Sequence, residues 1–439
     1  MSQKKSHESI NDNIEEGSLP LFFNMMGYKD FNQWTKRSIL KVPPYITRPN
    51  SDAYKPRVVS FGPYHHGQDH LKRMEAYKME SLNRFANRTN SDPKQYLDKF
   101  RELMPQLMAY YTFLNEEWRG DEERFLKLMV VDGCFLLECF RSEIPSLNDP
   151  LKNIFRGTMG SNIKRDMLLI ENQVPIQVLH ILLKIYLGEV IQPVHQELNK
   201  LILDFFHCGD VAVDDSCLHV LDVYAESMIR QTNPTWLWSI TSPGPIFPSA
   251  IVLSDTRVKF KKSETIGLMD IHFDEERRLL WLPSITVDEG TETLFLNLMA
   301  RERFDVMKRH EVSSYVAFMG LLIRSAQDVK LLRSGEIIIA KLKSDEAVAK
   351  LFDELAKNPV NEPDDSLAMV RFELEIWHNT HIAKCNERLA NWGSNFMETY
   401  CKNPWTAFGF LVGTIISVAT VMQTAYAIIQ FYQNDPFRR

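Results

Sequence analysis

A chain of 439 residues with 44% hydrophobic and 25% charged side chains has the balance of a folded protein, long enough for two or three domains or one large one. Its formal net charge of −6, with no long block of one sign, disfavours nucleic acid as a partner. Six cysteines are too few for a disulfide scaffold and suit a reducing compartment.

The N-terminal run "MSQKKSHESINDNIEEGS" is polar and lacks the apolar core of a signal peptide, so residues 1–37 are expected to be a largely disordered leader. A helical body is expected over 38–366. In "VVSFGPYHHGQDHLKRMEAYKMESL", Val58–Leu82, Gly62-Pro63 and Gly67 are turn residues that set His65 and His66 on a tight loop. Asp69 is a fair N-cap for the helix that follows, with Met74, Tyr77 and Leu82 among its apolar positions. Phe125–Arg141 is apolar almost all round, as a core helix should be. Asp166 can cap "MLLIENQ", and Pro175 opens or kinks "IQVLHILLKIYL".

Gln231–Ala250 holds Pro234, Pro243, Pro245 and Pro248, which reads as a long irregular connection. Near 257–287 the period changes, and "RVKFKK", "GLMDIHFD" and "RLLWLPSITV" predict a small antiparallel β meander. Helical patterning resumes at Thr291 and runs to Gly335, a plausible C-cap. "AKLFDEL" is another helix and "KNPVNEPDD" a linker. An amphipathic juxtamembrane helix is expected within 367–403, then an anchor over 404–432 and a short tail over 433–439. The fold class is mainly α, with no fixed-period repeat.

The anchor reading rests on Trp405–Tyr432, where no residue is charged and the length exceeds the roughly 20 residues a helix needs to cross a bilayer. Gly409 and Gly413 stand at small-xxx-small spacing, which makes a homo-oligomer possible. Trp405 at one edge, with Tyr426 and Tyr432 towards the other, resembles interfacial aromatics. The alternative is a buried core helix. Lys384, Arg388 and Lys402 before the span nearly balance Arg438 and Arg439 after it. The absent signal peptide and the cysteine usage favour a cytosolic body on a single-pass protein, expected at the plasma membrane. The "NRT" sequon at Asn87 points the other way.

Candidate chemistry is sparse. Adjacent His65 and His66 on a turn rarely converge on one ion, and no H-E-x-x-H or matching carboxylate spacing accompanies them. His207, Cys208, Cys217 and His219 supply four zinc-type ligands, but neighbouring His207 and Cys208 diverge. Asp214-Asp215 and Asp364-Asp365 sit in polar loops, and Cys134 lies in an apolar helix as an inert thiol. There is no G-x-S-x-G, no Walker A and no G-x-G-x-x-G. No catalytic residue, cofactor or metal is assigned.

"YKPRVVSFGPYHHG", "LKRMEAYK", "LMVVDGCFLLE", "IKRDMLLIENQVPIQVL", "HVLD", the run from "VKFKK" to "LPSITVDEGTETLFLNLMA", "SYVAFMGLLI" and "NPW" before an apolar helix come in one order. Together they resemble the plant-specific family named domain of unknown function two-four-seven, over about residues 38 to 432. The resemblance implies a C-terminal transmembrane helix and no established enzymatic activity. It also implies kinship with determinants at reproductive loci, notably self-incompatibility in grasses, and with proteins tied to sex determination or stress. The signature positions it marks are Gly62, Pro63, His65, His66, Gly67, Met74, Glu75 and Lys78. Further along they are Asp132, Gly133, Phe135, Glu138, Asp166, Glu171, Asn172, Gln173, Pro175, His219 and Asp222. Where the family often reads "NLIAFEQ", this chain places Arg301 at the aromatic position.

Glu171, Asn172 and Gln173 sit among Leu168, Leu169, Ile170 and Val174, so at least one polar side chain is expected to be buried and to need partners. The histidine turn is one candidate partner, and the two segments can equally be far apart. Two function classes follow. The first is a membrane-anchored recognition or signalling protein whose body binds an unidentified protein. The second is a hydrolase or metal-dependent enzyme whose site is assembled from distant segments.

Overall fold

The computed structural model describes residues 39–47, 50–89, 98, 100–141, 154, 157–188, 193–214, 216–229, 247–304, 310–357, 366–398 and 404–433. The expected leader, the proline-rich connection as far as residue 246, most of the "KNPVNEPDD" linker and the tail beyond 433 lie outside them, as do Asp215, Asp364 and Asp365. The chain divides into two compact units, Met1–Glu373 and Leu374–Arg439.

The first unit is mainly helical, as its periodicity predicts. At its centre is α2, Glu122–Phe140, in which every residue from Phe125 to Phe140 except Lys127 is buried. Asp121 caps it by accepting from Arg124 N. A helix apolar on all sides needs neighbours on all sides. Against α2 pack α1 (Lys72–Thr89), α4 (Ile176–Leu187) and α5 (Val194–Phe206), with α6 (Val220–Ile229) beyond α5. Between α2 and α4 comes α3, Gly157–Met167, followed by an irregular corner over 168–175. Pro175 caps α4, as its fixed φ and missing N–H suit. Close approach of α2 to α4 depends on Gly133, where an added Cβ would lie 2.6 Å from Leu182 Cδ1 and 2.9 Å from Val178 Cγ1.

The second half of this unit follows α7 (Thr291–Phe304), α8 (Glu311–Leu322), α9 (Ala326–Ser334) and α10 (Asp345–Ala356), packed as one cluster. Ser325 and Ser344 accept from N3 amides to start α9 and α10, and Gly335 ends α9.

The strands β1 (Lys259–Lys262), β2 (His272–Asp274) and β3 (Leu279–Leu282) correct the expected antiparallel meander. Their order is β1-β3-β2, with β1 parallel and β2 antiparallel to β3. The reason lies in burial. Leu280 and Leu282 of β3 are fully buried and take the central place. The segment before β2 is tied down elsewhere, since Leu268 N donates to Met228 O at the end of α6 and both Leu268 and Ile271 are buried. A second pair, β4 (Ile285–Val287) and β5 (Ile338–Ala340), is parallel, with α7–α9 as its crossover.

Helix α11, Ala368–Phe396, crosses the boundary into the second unit, which also holds α12, Pro404–Gln433. Trp405–Gln430 of α12 is 26 residues long, apolar enough to cross a membrane, and none of it is buried.

Candidate functional site

The segment 57–62 forms neither helix nor strand, yet five of its six backbone amides are bound by side chains. Acidic and amide side chains take the place of a neighbouring strand. Asp166 accepts from Arg57 N at 2.9 Å, Val58 N at 2.7 Å and Val59 N at 3.0 Å. Asn172 Oδ1 accepts from Phe61 N at 2.7 Å, while its Nδ2 donates to Val59 O at 3.0 Å. Asp132 Oδ2 accepts from Gly62 N at 2.8 Å. Gly62 then turns the chain at φ 69°, where an added Cβ would meet Gln173 O at 2.6 Å. Pro63 behind it is buried, and Gly67, at φ 85°, is exposed.

Beneath this segment lies Lys78, whose side chain has no exposed surface. Its ammonium donates to Ser60 O at 2.6 Å and lies 2.8 Å from both Asp132 Oδ1 and Glu75 Oε1. One hydrogen bond and two ion pairs thus surround the ammonium and offset the burial of its charge. Burial, the largest influence on Asp132, lifts its carboxyl above the ordinary range, against the pull of Lys78 and of Gly62 N–H. Asp166 is lifted for the same reason, opposed by its three amide donors and by Arg165.

The "ENQ" corner completes the network. Gln173 Nε2 donates to Met167 O at 2.8 Å and Leu169 O at 2.7 Å, and its Oε1 accepts from Leu221 N at 3.2 Å. Glu171 Oε1 accepts from Val42 N at 2.7 Å, and its Oε2 lies 3.3 Å from His65 Nε2. His65 Nδ1 faces Gln68 Nε2 at 3.2 Å. The histidine turn and the "ENQ" corner therefore meet. His66 stands apart, edge-on to Trp118 with ring centroids 5.6 Å from each other. Met74 and Phe135 are buried apolar residues, and Glu138 pairs with Arg88 at the far end of α2.

Three local expectations change. Asp166 does not cap a helix over "MLLIENQ". It belongs to the last turn of α3, where its carboxylate serves residues 57–59, and "ENQ" itself is an irregular corner. Asp69 begins a 3-10 turn, Asp69–Leu71, and α1 starts at Lys72. Arg301 replaces the family's aromatic with a buried ion pair, reaching Asp222 and, at 3.3 Å, Glu226 on α6. His219 Nδ1 accepts from Asp222 N at 3.2 Å.

Other buried polar residues do similar work without standing out in the sequence. Asn297 Oδ1 accepts from Ile170 N at 3.0 Å, and its Nδ2 donates to Ala53 O at 2.9 Å. Glu302 accepts from Val312 N at 2.6 Å, Ser313 N at 3.0 Å and Ser313 Oγ at 2.7 Å, which anchors the start of α8. Burial pushes its carboxyl up to about 7. The signal that marked "ENQ", polar residues inside an apolar run, is also present in "TLFLNLMARE".

The second ligand candidate does not assemble. His207 and Cys208 line an open groove of about 620 Å³ with residues 209–212 and 264–266, and neither Cys217 nor His219 reaches it. Cys208 and Cys217 are buried thiols, as are Cys134 and Cys139 on α2. Burial raises the Cys134 and Cys208 thiols above their ordinary range, which makes them poor nucleophiles. Among the described residues no group of three or more His, Cys, Asp or Glu is placed to hold a metal. In the second unit Trp405 is 80% exposed, and the side chain of Tyr432 lies outside the described residues.

Residues 39–419 match the family described as plant protein of unknown function, DUF247. The chain is 27% identical over 90% of its length to the Arabidopsis thaliana UPF0481 protein At3g47200, covering 87% of that protein. It is 22% identical over 88% of its length to the Arabidopsis thaliana putative UPF0481 protein At3g02645, covering 89% of that one. No solved structure matches.

Proposed function

We propose, from the premise that this chain belongs to the DUF247 family of plant proteins of unknown function, that it is a membrane-anchored recognition or signalling protein that works by binding another protein. The observation that carries this reading is α12, whose 26-residue stretch from Trp405 to Gln430 is uncharged, apolar on average and not buried. A water-exposed helix of that kind is costly, and a bilayer relieves the cost. The body supports the binding half of the proposal. The heads of Lys78, Asp132, Asp166, Asn172 and Gln173 are committed to backbone groups and to each other, so their chemistry is spent on holding one packing. The groove at His207 excludes the histidine turn. We place the anchor in the plasma membrane with the body on the cytosolic side. The setting it fits is cell recognition, of which self-incompatibility and sex determination are the cases the family resemblance implies.

The test is proximity labelling of the full-length protein in its native cell, beside a version lacking residues 404–439. Labelled proteins that appear only with the anchored form, together with loss of carbonate-resistant membrane association on truncation, support the proposal. A truncated form that still pellets removes the anchor. Stoichiometric zinc in purified protein, lost in His65→Ala with His66→Ala, would restore the enzyme alternative.

A further inference from the structure

Across the first unit, exposed cations such as Lys55, Lys72, Arg101, Arg124, Arg333 and Lys357 each pair with a carboxylate. Strand β1 and the residue leading into it differ. Arg257, Lys259, Lys261 and Lys262 put four positive charges into six residues. All four are exposed, and none makes an ion pair among the described residues. The carboxylates nearest in sequence, Asp255 and Glu264, flank this run without pairing to it. In the β2–β3 turn, beside Glu275 and Glu276, Asp274 pairs with Arg277. Arg257 also holds φ 70°, the left-handed region that glycine or asparagine ordinarily fills, so a cation stands where the backbone does not favour one. The strand register sets part of this charge on one face. Lys261 lies opposite Trp281 of β3, and Trp281 opposite His272 of β2, so the three side chains form a row across the sheet. Lys261 Nζ is 4.2 Å from the centroid of the Trp281 ring, and the His272 ring stacks on the same indole at 5.5 Å. Lys259 falls on this face too, whereas Leu280 and Leu282 of β3 point the other way and are fully buried.

We infer that this strand is a second membrane contact, in which Arg257, Lys259, Lys261 and Lys262 meet the anionic headgroups of the leaflet that the anchor crosses. The inference rests on the anchor and the cytosolic side proposed above, and three arguments select a lipid surface as the occupant. The first is charge. The cytosolic leaflet is the anionic one, and each lysine or arginine close to it adds attraction. The chain as a whole carries −6, but physiological salt screens charges beyond about 8 Å, so a bilayer meets the local sign of the strand rather than the net one. The second is Trp281. An indole set beside lysines suits the headgroup level, where its apolar body meets acyl chains and its N–H meets water. The third is reach. Glu373, the end of the first unit, and Trp405 stand 32 positions apart, so even a fully extended connection keeps that unit within ~110 Å of the bilayer. Four charges that bind a surface weakly from free solution then act at a high effective concentration. One short strand is too small a basic surface for nucleic acid in a chain of this net charge.

Lysine labelling reads this contact in the intact chain. Full-length protein is placed in vesicles of phosphatidylcholine, alone or with phosphatidylserine, and treated briefly with acetic anhydride. Mass spectrometry then measures acetylation at each lysine, and flotation of the same vesicles reports the anchor. At ~0.1 M salt phosphatidylserine should slow acetylation of Lys259, Lys261 and Lys262 by roughly threefold or more, and ~1 M salt should abolish the difference. Lys350 on α10 and Lys357 just after it are exposed and should label alike in every vesicle. Lys261→Gln with Lys262→Gln should return Lys259 to its rate in phosphatidylcholine, with flotation unchanged. Equal labelling in the two lipids by protein that floats overturns this contact and leaves the anchor standing. Protection in phosphatidylcholine vesicles on adding inorganic phosphate also overturns it, by making the strand a phosphate site. Protection there by polyglutamate does the same in favour of an acidic protein. Full-length protein that fails to float overturns the anchor and the contact with it.

Discussion

The polar heart of the first unit and the helices of the second are opposites. Around residues 57–62, charged and amide groups are buried and committed to partners inside the chain. Along α11 and α12, many large apolar groups are exposed, among them Leu389, Trp392, Trp405 and Val421. A buried polar group is costly only when it lacks a partner, and a large apolar face is costly only while it meets water. On the function proposed above, the first region is at rest and the second is completed by a membrane. On the same reading, the signature residues keep the body in one shape and the C-terminal helices carry the means of action.

The sharpest way to break that contrast is to disturb the heart itself. Lys78→Met leaves Asp132 buried without its ammonium partner, and breaking a buried pair costs about 3–5 kcal/mol. Urea unfolding of residues 1–373, the first compact unit, should show a loss of that order. Adding Asp132→Asn removes the orphaned charge while keeping an acceptor for Gly62 N–H, so the double variant should recover part of the loss. A neutral Lys78→Met would mean that the network holds nothing together. Gly62→Ala should cost more than the ~1–2 kcal/mol of a left-handed alanine, because its Cβ also enters the space of Gln173 O. If it unfolds at the same urea concentration as the parent, segment 57–62 is not pinned by its neighbours.

Glu171 sharpens the contrast at the network's edge. Glu171→Ala removes the acceptor of Val42 N and the carboxylate beside His65, and losing such a partner costs on the order of 1–3 kcal/mol. Glu122→Ala, in the exposed first turn of α2, should change stability by less than about 0.5 kcal/mol. Equal stabilities would place Glu171 among surface residues and make it a candidate contact for a partner.

What could be read in advance was local. The all-apolar run of α2, the Pro175 start of α4, the Gly335 end of α9 and the burial of "ENQ" follow from spacing and residue type alone. Lys78 could not be read, because a lysine in an amphipathic helix is normally a solvated head, and only Asp132 and Ser60 O make its burial tolerable. The role of Asp166 could not be read either. Its amide partner Val59 N lies 107 positions away in sequence, and that of Asn172 lies 111 away. Periodicity has no reach over such separations. Strand order failed for a related reason, since the tie from Leu268 to the end of α6 displaces β2 from the centre. The role of Arg301 was not legible either, since its charge pair needs Asp222 and Glu226 from another helix.

Glu302 offers the smallest and most selective test of how a buried carboxyl in this body is compensated. Two influences compete at this carboxyl. Burial favours the neutral acid, whereas three donors from Val312 and Ser313 favour the carboxylate, and the outcome is a value pushed up to about 7 from an ordinary 4.5. A raised acid pKa means that the folded chain binds more protons than the unfolded chain between those two values. Stability contributed by this group is therefore fully present below about pH 4.5 and is lost as pH rises through 7. The slope is limited to about 1.4 kcal/mol per pH unit, since one proton is involved. The measurement is the stability difference between the parent body and Glu302→Gln at steps from pH 5 to 8, a comparison in which Asp132, Asp166 and the other titrating groups cancel. Glutamine cannot titrate and accepts at one oxygen only, so the variant should be weaker throughout, and the parent's advantage should shrink as pH rises. An advantage that grows with pH would show that the three donors outweigh burial and hold a charged carboxylate at the start of α8. Glu302 would then stay a charged carboxylate across this range, unlike Asp132 and Asp166, whose carboxyls burial lifts.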